Sequence, residues 1–314
     1  MADVLVTGGA GFIGSHLTAR LVSLGHRVRV LDNFSSSRRE NLARLSGRFE
    51  LLDGDLRDAQ TCLLACRGVE VVFHQAAVGS VPKSIDDPQP SHDSNINGTF
   101  NILRACVEHR VHRLIYAGSS SAYGDTEVSP KHEEITPRPL SPYAVQKLTG
   151  ELYCRAFSLC FGLETITLRY FNVFGERQDP KSRYAAAIPA FVTAILNNRP
   201  PTVFGDGEQS RDFTYIDNVI DANMLAMSAA KLSGEVVNIA CGGRITINEV
   251  IKAINRALGT NVAPRHESPR PGDVRHSQAD ISLARKLLGF EPKIGFEEGL
   301  RRAIDYYRQL ATQT

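Results

Sequence analysis

The 314-residue chain is predicted to be an α/β protein: a doubly wound parallel sheet with a smaller C-terminal α/β lobe. Three observations carry this. Short apolar strand patterns alternate with helical ones through the first half, which implies parallel βαβ units. The first of these strands runs directly into a glycine-rich turn. The unusual residue clusters of this half fall at the carboxyl ends of predicted strands, where open parallel sheets bind ligands.

The first strand, Val4–Thr7, leads into Gly8-Gly9-Ala10-Gly11-Phe12-Ile13-Gly14, and a helical pattern follows over Phe12–Leu24. Gly9, Gly11 and Gly14 fit the GxGxxG spacing. One glycine is expected to make the tight turn, one to let a diphosphate reach the backbone, and one to let the helix lie close on the strand. The helix start offers free N–H groups and the positive end of its dipole to that diphosphate. Together these features predict a Rossmann dinucleotide site. The second strand, Val28–Asp32, closes on Asp32, about 20 residues further on. A carboxylate there accepts hydrogen bonds from the adenine-ribose hydroxyls and repels a 2′-phosphate, which predicts NAD rather than NADP as the cofactor.

The third strand, Phe49–Asp53, ends before Gly54-Asp55, and the fourth, Val71–His74, before Gln75-Ala76-Ala77. A helix is expected over Asn95–Val107. The fifth strand, Leu114–Ala117, ends at Gly118-Ser119-Ser120-Ser121. Ser141 suits the N-cap and Pro142 the first position of the next helix. The sixth strand is Thr165–Arg169. After Tyr170, prolines 180, 189, 200, 201, 264, 269, 271 and 292 cut the chain into short pieces around helices at Ile188–Leu196, Asp217–Ala230 and Ile247–Leu258. Residues 1–170 are therefore read as the dinucleotide-binding domain and 171–314 as a substrate lobe, with the chain free to cross between them.

Tyr143 and Lys147, four apart on a helix, share one face. A Lys ammonium beside a tyrosine, with a nicotinamide cation near it, lowers the phenol's pKa, and the phenolate can then take a proton from a sugar hydroxyl as hydride leaves the same carbon. Composition sets bounds on other functions. With 42% apolar and 22% charged residues and a formal charge of +2, the chain reads as a globular protein whose main partner is neither nucleic acid nor membrane. It has no apolar run of membrane length. The first strand begins too early to leave room for a signal peptide. The six cysteines (62, 66, 106, 154, 160 and 241) lack zinc spacing, so no metal site is expected and they read as reduced thiols of a cytoplasmic protein.

A resemblance adds to this reading. The glycine motif, His74-Gln75-Ala76-Ala77, Asn95-Ile96-Asn97-Gly98-Thr99, Ser119-Ser120-Ser121-Ala122-Tyr123-Gly124 and Ser141-Pro142-Tyr143-Ala144-Val145-Gln146-Lys147 occur in order. Arg169-Tyr170-Phe171-Asn172, Gly205-Asp206-Gly207, Ser210-Arg211-Asp212-Phe213 and Arg270-Pro271-Gly272-Asp273 follow. Over essentially its whole length the chain resembles the extended short-chain dehydrogenases/reductases, and within them the nucleotide-sugar 4-epimerases.

That resemblance implies an isomerase with a tightly held NAD that is reduced and reoxidised within one turnover. It implies that Tyr143 takes the C4 hydroxyl proton, that Lys147 holds the nicotinamide ribose and tunes Tyr143, and that Ser119 bonds the C4 oxygen. The cofactor set it implies is Gly8, Gly11, Phe12, Ile13, Asp32, Asn33, Asp55, Leu56, Gln75, Ala76, Ala77, Asn95, Tyr143, Lys147 and Tyr170. The substrate set is Ser119, Ser120, Ser121, Asn172, Arg211, Arg270, Asp273 and Ser277. Within it, Asn172, Arg211 and Arg270 are expected at the diphosphate, Asp273 at the uridine ribose, and Ser277 at the wall facing the sugar's C2 substituent.

The substrate is thus expected to be a UDP-hexose. The related 4,6-dehydratases carry an Asp-Glu pair after the catalytic Ser/Thr, where this chain has Ser120 and Ser121, so dehydration is disfavoured. Small Ser277, with Gly79–Ser84 and Arg177–Pro180, resembles the branch that prefers N-acetylated UDP-hexoses (UDP-GlcNAc and UDP-GalNAc, with UDP-Glc and UDP-Gal as further substrates). A UDP-glucuronate 4-epimerase is the rival, since Lys83 could meet a C6 carboxylate. A non-catalytic nucleotide-sugar or NAD sensor would lack Tyr143 or Lys147. The resemblance also implies a homodimer built on the helices at Asn95–Val107 and Tyr143–Cys160.

Overall fold

The computed structural model describes residues 1–45, 47–180, 186–269 and 274–312. Strands β1 (Asp3–Thr7), β2 (Arg27–Asp32), β3 (Glu50–Asp53), β4 (Val71–His74), β5 (Arg113–Ser119) and β6 (Glu164–Tyr170) alternate with helices α1 (Phe12–Ser23), α2 (Ala59–Cys66), α3 (Val81–Asp86), α4 (Pro88–His92), α5 (Gly98–Glu108) and α6 (Pro142–Phe161). The second half contributes β7 (Val173–Phe174), α7 (Ala187–Leu196), β8 (Thr202–Phe204), β9 (Ser210–Arg211), β10 (Thr214–Tyr215), α8 (Ile216–Ser228) and β11 (Glu235–Ile239). It closes with β12 (Ile245–Thr246), α9 (Ile247–Leu258), β13 (Arg265–Glu267), β14 (His276–Ser277), α10 (Ser282–Leu288) and α11 (Phe296–Thr312).

Seven strands form one parallel sheet in the order β11-β6-β5-β4-β1-β2-β3. The chain turns outward in both directions from β1 and β4, so a crevice opens above their carboxyl ends. Alternation along each strand sends side chains to opposite faces. Val4, Val6, Phe73, Ile115 and Leu168 join the core under α1 and α8, while Leu5, Val72, Leu114 and Tyr116 join the core containing α2, α5 and α6 residues. Apolar residues on both faces of the strands are what a sheet covered on both sides requires.

The structure adds a strand to the six expected from sequence. β11 comes from the second half and pairs with β6, Val237 opposite Leu168. The chain therefore crosses back into the sheet beyond residue 170, as the division at that point allowed. Arg113 anchors this return. Its guanidinium donates to Glu164 and to the carbonyls of Ala226, Met227 and Ala229, the last turn of α8 and the residue after it, satisfying acceptors that a helix end leaves open. The helix expected over Asn95–Val107 begins instead with a wide π turn at Asp93–Asn97 before α5. Among the described residues no helix is long and apolar enough to cross a membrane.

Candidate active site

The crevice above the sheet is a cleft of about 750 Å³. Its walls come from the β1–α1 turn, the ends of β2, β4 and β5, helix α6, and residues 178, 179 and 186 of the second half. All the cofactor residues named from sequence except Asn95 line it: Gly8, Gly11, Phe12, Ile13, Asp32, Asn33, Asp55, Leu56, Gln75, Ala76, Ala77, Tyr143, Lys147 and Tyr170.

The glycine turn distributes its work differently from the GxGxxG count. Gly8, which precedes that triplet, takes the left-handed backbone (φ +66°), and a Cβ there would lie 2.7 Å from the Ala76 Cα. Gly14 lets α1 settle on the turn, since its Cβ would sit 2.1 Å from the Gly8 carbonyl oxygen. Gly9 packs on Val30. Gly11 is the N-cap of α1 and brings no capping side chain, and the first turn carries no acid. The result is a helix N-terminus with its N–H groups turned to the cleft, a cradle that suits the diphosphate of a dinucleotide.

Asp32 closes β2 as the glycines require. One carboxylate oxygen accepts from the Ala10 N–H at 2.9 Å, and the other from the Phe34 N–H at 2.9 Å and the Ser37 hydroxyl at 2.7 Å. A carboxylate has about four acceptor sites, so capacity remains for a ribose diol. Asn33 donates to Asp55 at 2.7 Å, joining the ends of β2 and β3. Arg57 holds the Asp55 carboxyl down at about 2 through hydrogen bonds.

Asn95 does other work. Its amide is buried and bonds the Val78 N–H at 2.8 Å and Gln146 on α6 at 2.8 Å. It sets the loop after β4 against the catalytic helix and does not line the cleft. His74 is also internal, held between the Thr7 and Thr99 hydroxyls at 2.7 and 2.9 Å. Burial lowers its pKa to about 3, so it is a neutral structural bridge.

Helix α6 starts as its sequence dictates. Ser141 accepts from the Ala144 N–H at 3.2 Å, and Pro142 fills the first position. Tyr143 and Lys147 then face the cleft from successive turns. Ser119, at the end of β5, is the side chain that acts on the Tyr143 phenol. Burial holds its pKa above the usual tyrosine value, and the Ser119 bond pulls the other way. The Lys147 ammonium donates to the Ala117 carbonyl at 2.9 Å and lies 5.0 Å from the centre of the Tyr116 ring. Burial brings it down to about 8.

Ser119 ends β5, and its hydroxyl also meets that of Ser121 at 2.8 Å. Ser120 and Ser121 open the tight turn that runs to Tyr123. Asn172, Arg211 and Ser277 do not line the cofactor cleft. Asn172, at φ +36°, donates to the Asp212 carbonyl at 3.2 Å. Arg211 and Ser277 are direct partners across the parallel β9–β14 pair, which places them on one face. Arg270 and Asp273 lie outside the described residues.

Sequence reasoning missed two organising groups. Asp212, buried beside Arg211, accepts from the N–H groups of Cys241, Gly242 and Ala279 at 3.0 to 3.1 Å and binds the loops of the second half together. Burial raises its pKa to about 6. Asn223 on α8 fixes Tyr170 and Gln75, two cleft residues, from below. Asp212 stands in the Ser210–Phe213 motif with no role legible there, and Asn223 has no local signal, because the partners of both are distant in the chain.

Residues 4–240 match the model of the NAD dependent epimerase/dehydratase family. The UDP-glucose 4-epimerase of Mycolicibacterium smegmatis is 38% identical over 97% of this chain and 98% of that protein. The UDP-N-acetylglucosamine 4-epimerase of Methanobrevibacter ruminantium, solved with UDP-N-acetylmuramic acid, superposes with a TM-score of 0.94 at 38% identity, covering 98% of this chain and 99% of that one. The UDP-glucuronic acid 4-epimerase of Bacillus cereus, solved with UDP-glucuronic acid and NAD, gives 0.91 at 34% identity with coverage of 98% and 99%.

Proposed function

This chain belongs to the NAD dependent epimerase/dehydratase family, and from that premise we propose that it inverts C4 of a UDP-hexose, with UDP-GlcNAc and UDP-GalNAc as the preferred pair. The observation that carries the reaction type is the convergence of Tyr143, Ser119 and Lys147 where β5 and α6 meet the cofactor cleft. Bound NAD supplies a hydride acceptor that becomes a hydride donor within the same turnover. Tyr143 takes the proton of the C4 hydroxyl, and Ser119 holds the C4 oxygen and passes the proton between them. Lys147 sits one turn below, with its ammonium directed by the Ala117 carbonyl. Its pKa of about 8 keeps much of it cationic at neutral pH, which favours the phenolate. The serines at 120 and 121 offer no acid for elimination of water, which supports epimerisation over dehydration.

The sugar reading rests on Ser277. It is small, buried and registered beside Arg211 on one sheet face. A diphosphate held at Arg211 leaves the sugar end of the substrate near this strand, and a serine there leaves space for a 2-acetamido group. Incubation with UDP-GlcNAc, UDP-Glc and UDP-GlcA separately, without added NAD, tests both levels. Inversion of UDP-GlcNAc is the expected result; conversion of the uronate alone replaces the sugar assignment, and no inversion of any of them overturns the reaction. Ser277→Tyr is expected to cost about 1–3 kcal/mol of overpacking for the N-acetylated sugar, roughly one to two decades in rate, with UDP-Glc spared. An equal fall for both sugars removes Ser277 from the pocket wall.

The assembly proposed is a homodimer through α5 and α6. Val145, Leu152 and Leu159 recur every seventh residue along α6 and are 47, 59 and 69% exposed, and Phe100 of α5 packs on Tyr153 of the same helix. Such a stripe suits a second copy of the same face. Leu152→Asp is expected to shift the sedimentation coefficient from dimer to monomer; a monomeric wild type discards the interface.

A further inference from the structure

Lys131 is a buried charge with no part in the chemistry above. It is 2% exposed, and its ammonium donates to the Gly124 carbonyl at 2.9 Å. That acceptor is neutral, and among the described residues no carboxylate lies within ion-pair distance, Asp125 acting only at longer range; burying an ammonium this way is expensive compared with an apolar chain of the same volume. Burial accordingly lowers its pKa. The position of the bond gives the charge a purpose. Gly124 stands at φ +64° immediately after the turn Ser120–Tyr123 that begins at Ser119. Its neighbour Tyr123 donates to Asn238 at 2.7 Å, and the Asn238 amide donates to the Lys131 carbonyl at 3.0 Å. Two consecutive residues of the turn are thus tied to one lysine.

The lysine's own backbone is fastened on the other side. Its N–H donates to the Gln278 carbonyl at 2.8 Å, its carbonyl accepts from the Asp280 N–H at 2.9 Å, and it forms a parallel bridge with Ala279. Those residues directly continue β14, which carries Ser277 and pairs with Arg211. The circuit runs from the proton-transfer serine to the strand of the sugar wall.

We propose that Lys131 is a positioning residue that holds the Ser119–Gly124 turn in register with the 276–280 strand, so that the proton-transfer groups and the sugar wall behave as one rigid unit. The catalytic part of this inference rests on the epimerase reading; the mechanical part does not. The test uses the NAD-loaded full chain with Lys131→Met, which keeps volume without the donor, and Lys131→Gln, which restores an N–H for the Gly124 carbonyl. Amide hydrogen exchange in the Met variant is expected to rise about fivefold in both 119–124 and 277–280, the weight of roughly one net hydrogen bond, with β1 and β4 unchanged and Gln restoring protection. The Met variant is also expected to lose about ten- to a hundredfold in kcat, the range a small misplacement of reacting groups produces, with KM little changed. Wild-type exchange in the Met variant, a rise spread over the whole sheet, or a Gln variant no better than Met would overturn the proposal. A wild-type protein inactive on every UDP-sugar, with the exchange pattern as expected, overturns the epimerase reading and leaves the mechanical tie standing.

Discussion

Tyr143 has to lose and regain a proton in a place that resists its charge. Burial raises its pKa and the Ser119 hydrogen bond lowers it, so the balance needs further positive charge, which Lys147 is placed to add from one helical turn away. Removing only the phenolic oxygen isolates this role. Tyr143→Phe is expected to cut turnover by about 10²–10⁴-fold, the usual worth of a positioned acid–base group, while UDP-sugar binding persists. Near-normal turnover measured by sugar analysis would move the base elsewhere.

Helix α6 can present both catalytic side chains because one of its own residues has none. Gly150 lies against Tyr116 of β5, and a Cβ there would fall 2.2 Å from the phenol oxygen and 2.5 Å from the ring. Tyr116 in turn donates to the Lys147 carbonyl at 3.4 Å, so the ring sets the height of the helix where it carries the lysine. Gly150→Ala improves helix propensity by about 1 kcal/mol, but overpacking of roughly 1–3 kcal/mol is expected to outweigh it. A lower denaturation midpoint and a lower kcat should appear together. An unchanged midpoint would mean that the helix can back away from the sheet freely.

The molecule as a whole keeps two imidazoles neutral, His74 fully buried and His16 half-buried. Burial lowers His74 to about 3 and His16 to about 4, with the Arg177 cation adding to the second. Both folded-state values lie below the ordinary histidine value, so the unfolded chain binds protons that the folded chain refuses. Their contribution to stability is complete above about pH 6.5 and is lost as pH falls toward 4, at about 1.4 kcal/mol per pH unit for each group. Melting temperatures at pH 7.5, 6 and 5 are expected to fall in order, and His74→Gln to flatten the slope. A melting temperature independent of pH over this interval would contradict the burial of both rings.

Short-range order was legible in the chain. The strand-to-glycine junction at Val6–Gly14, the carboxylate at the end of β2 and the Ser141-Pro142 start of α6 depend on residues within a few positions of one another, so backbone preference and capping chemistry write them locally. The place of the cleft is legible too, because an open parallel sheet forms a crevice where its strand order reverses. Other features depended on contacts across the chain. Gly8 rather than Gly9 takes the left-handed turn, at a place where Ala76, just beyond the end of β4, leaves no room for a Cβ. Asn95 turned inward because Gln146 on α6 and the Val78 backbone needed its amide. β11 and Lys131 gave no local signal and Asp212 no legible role within its motif, since each is specified by partners that lie up to a hundred or more residues away and meet only when the second half folds back over the first.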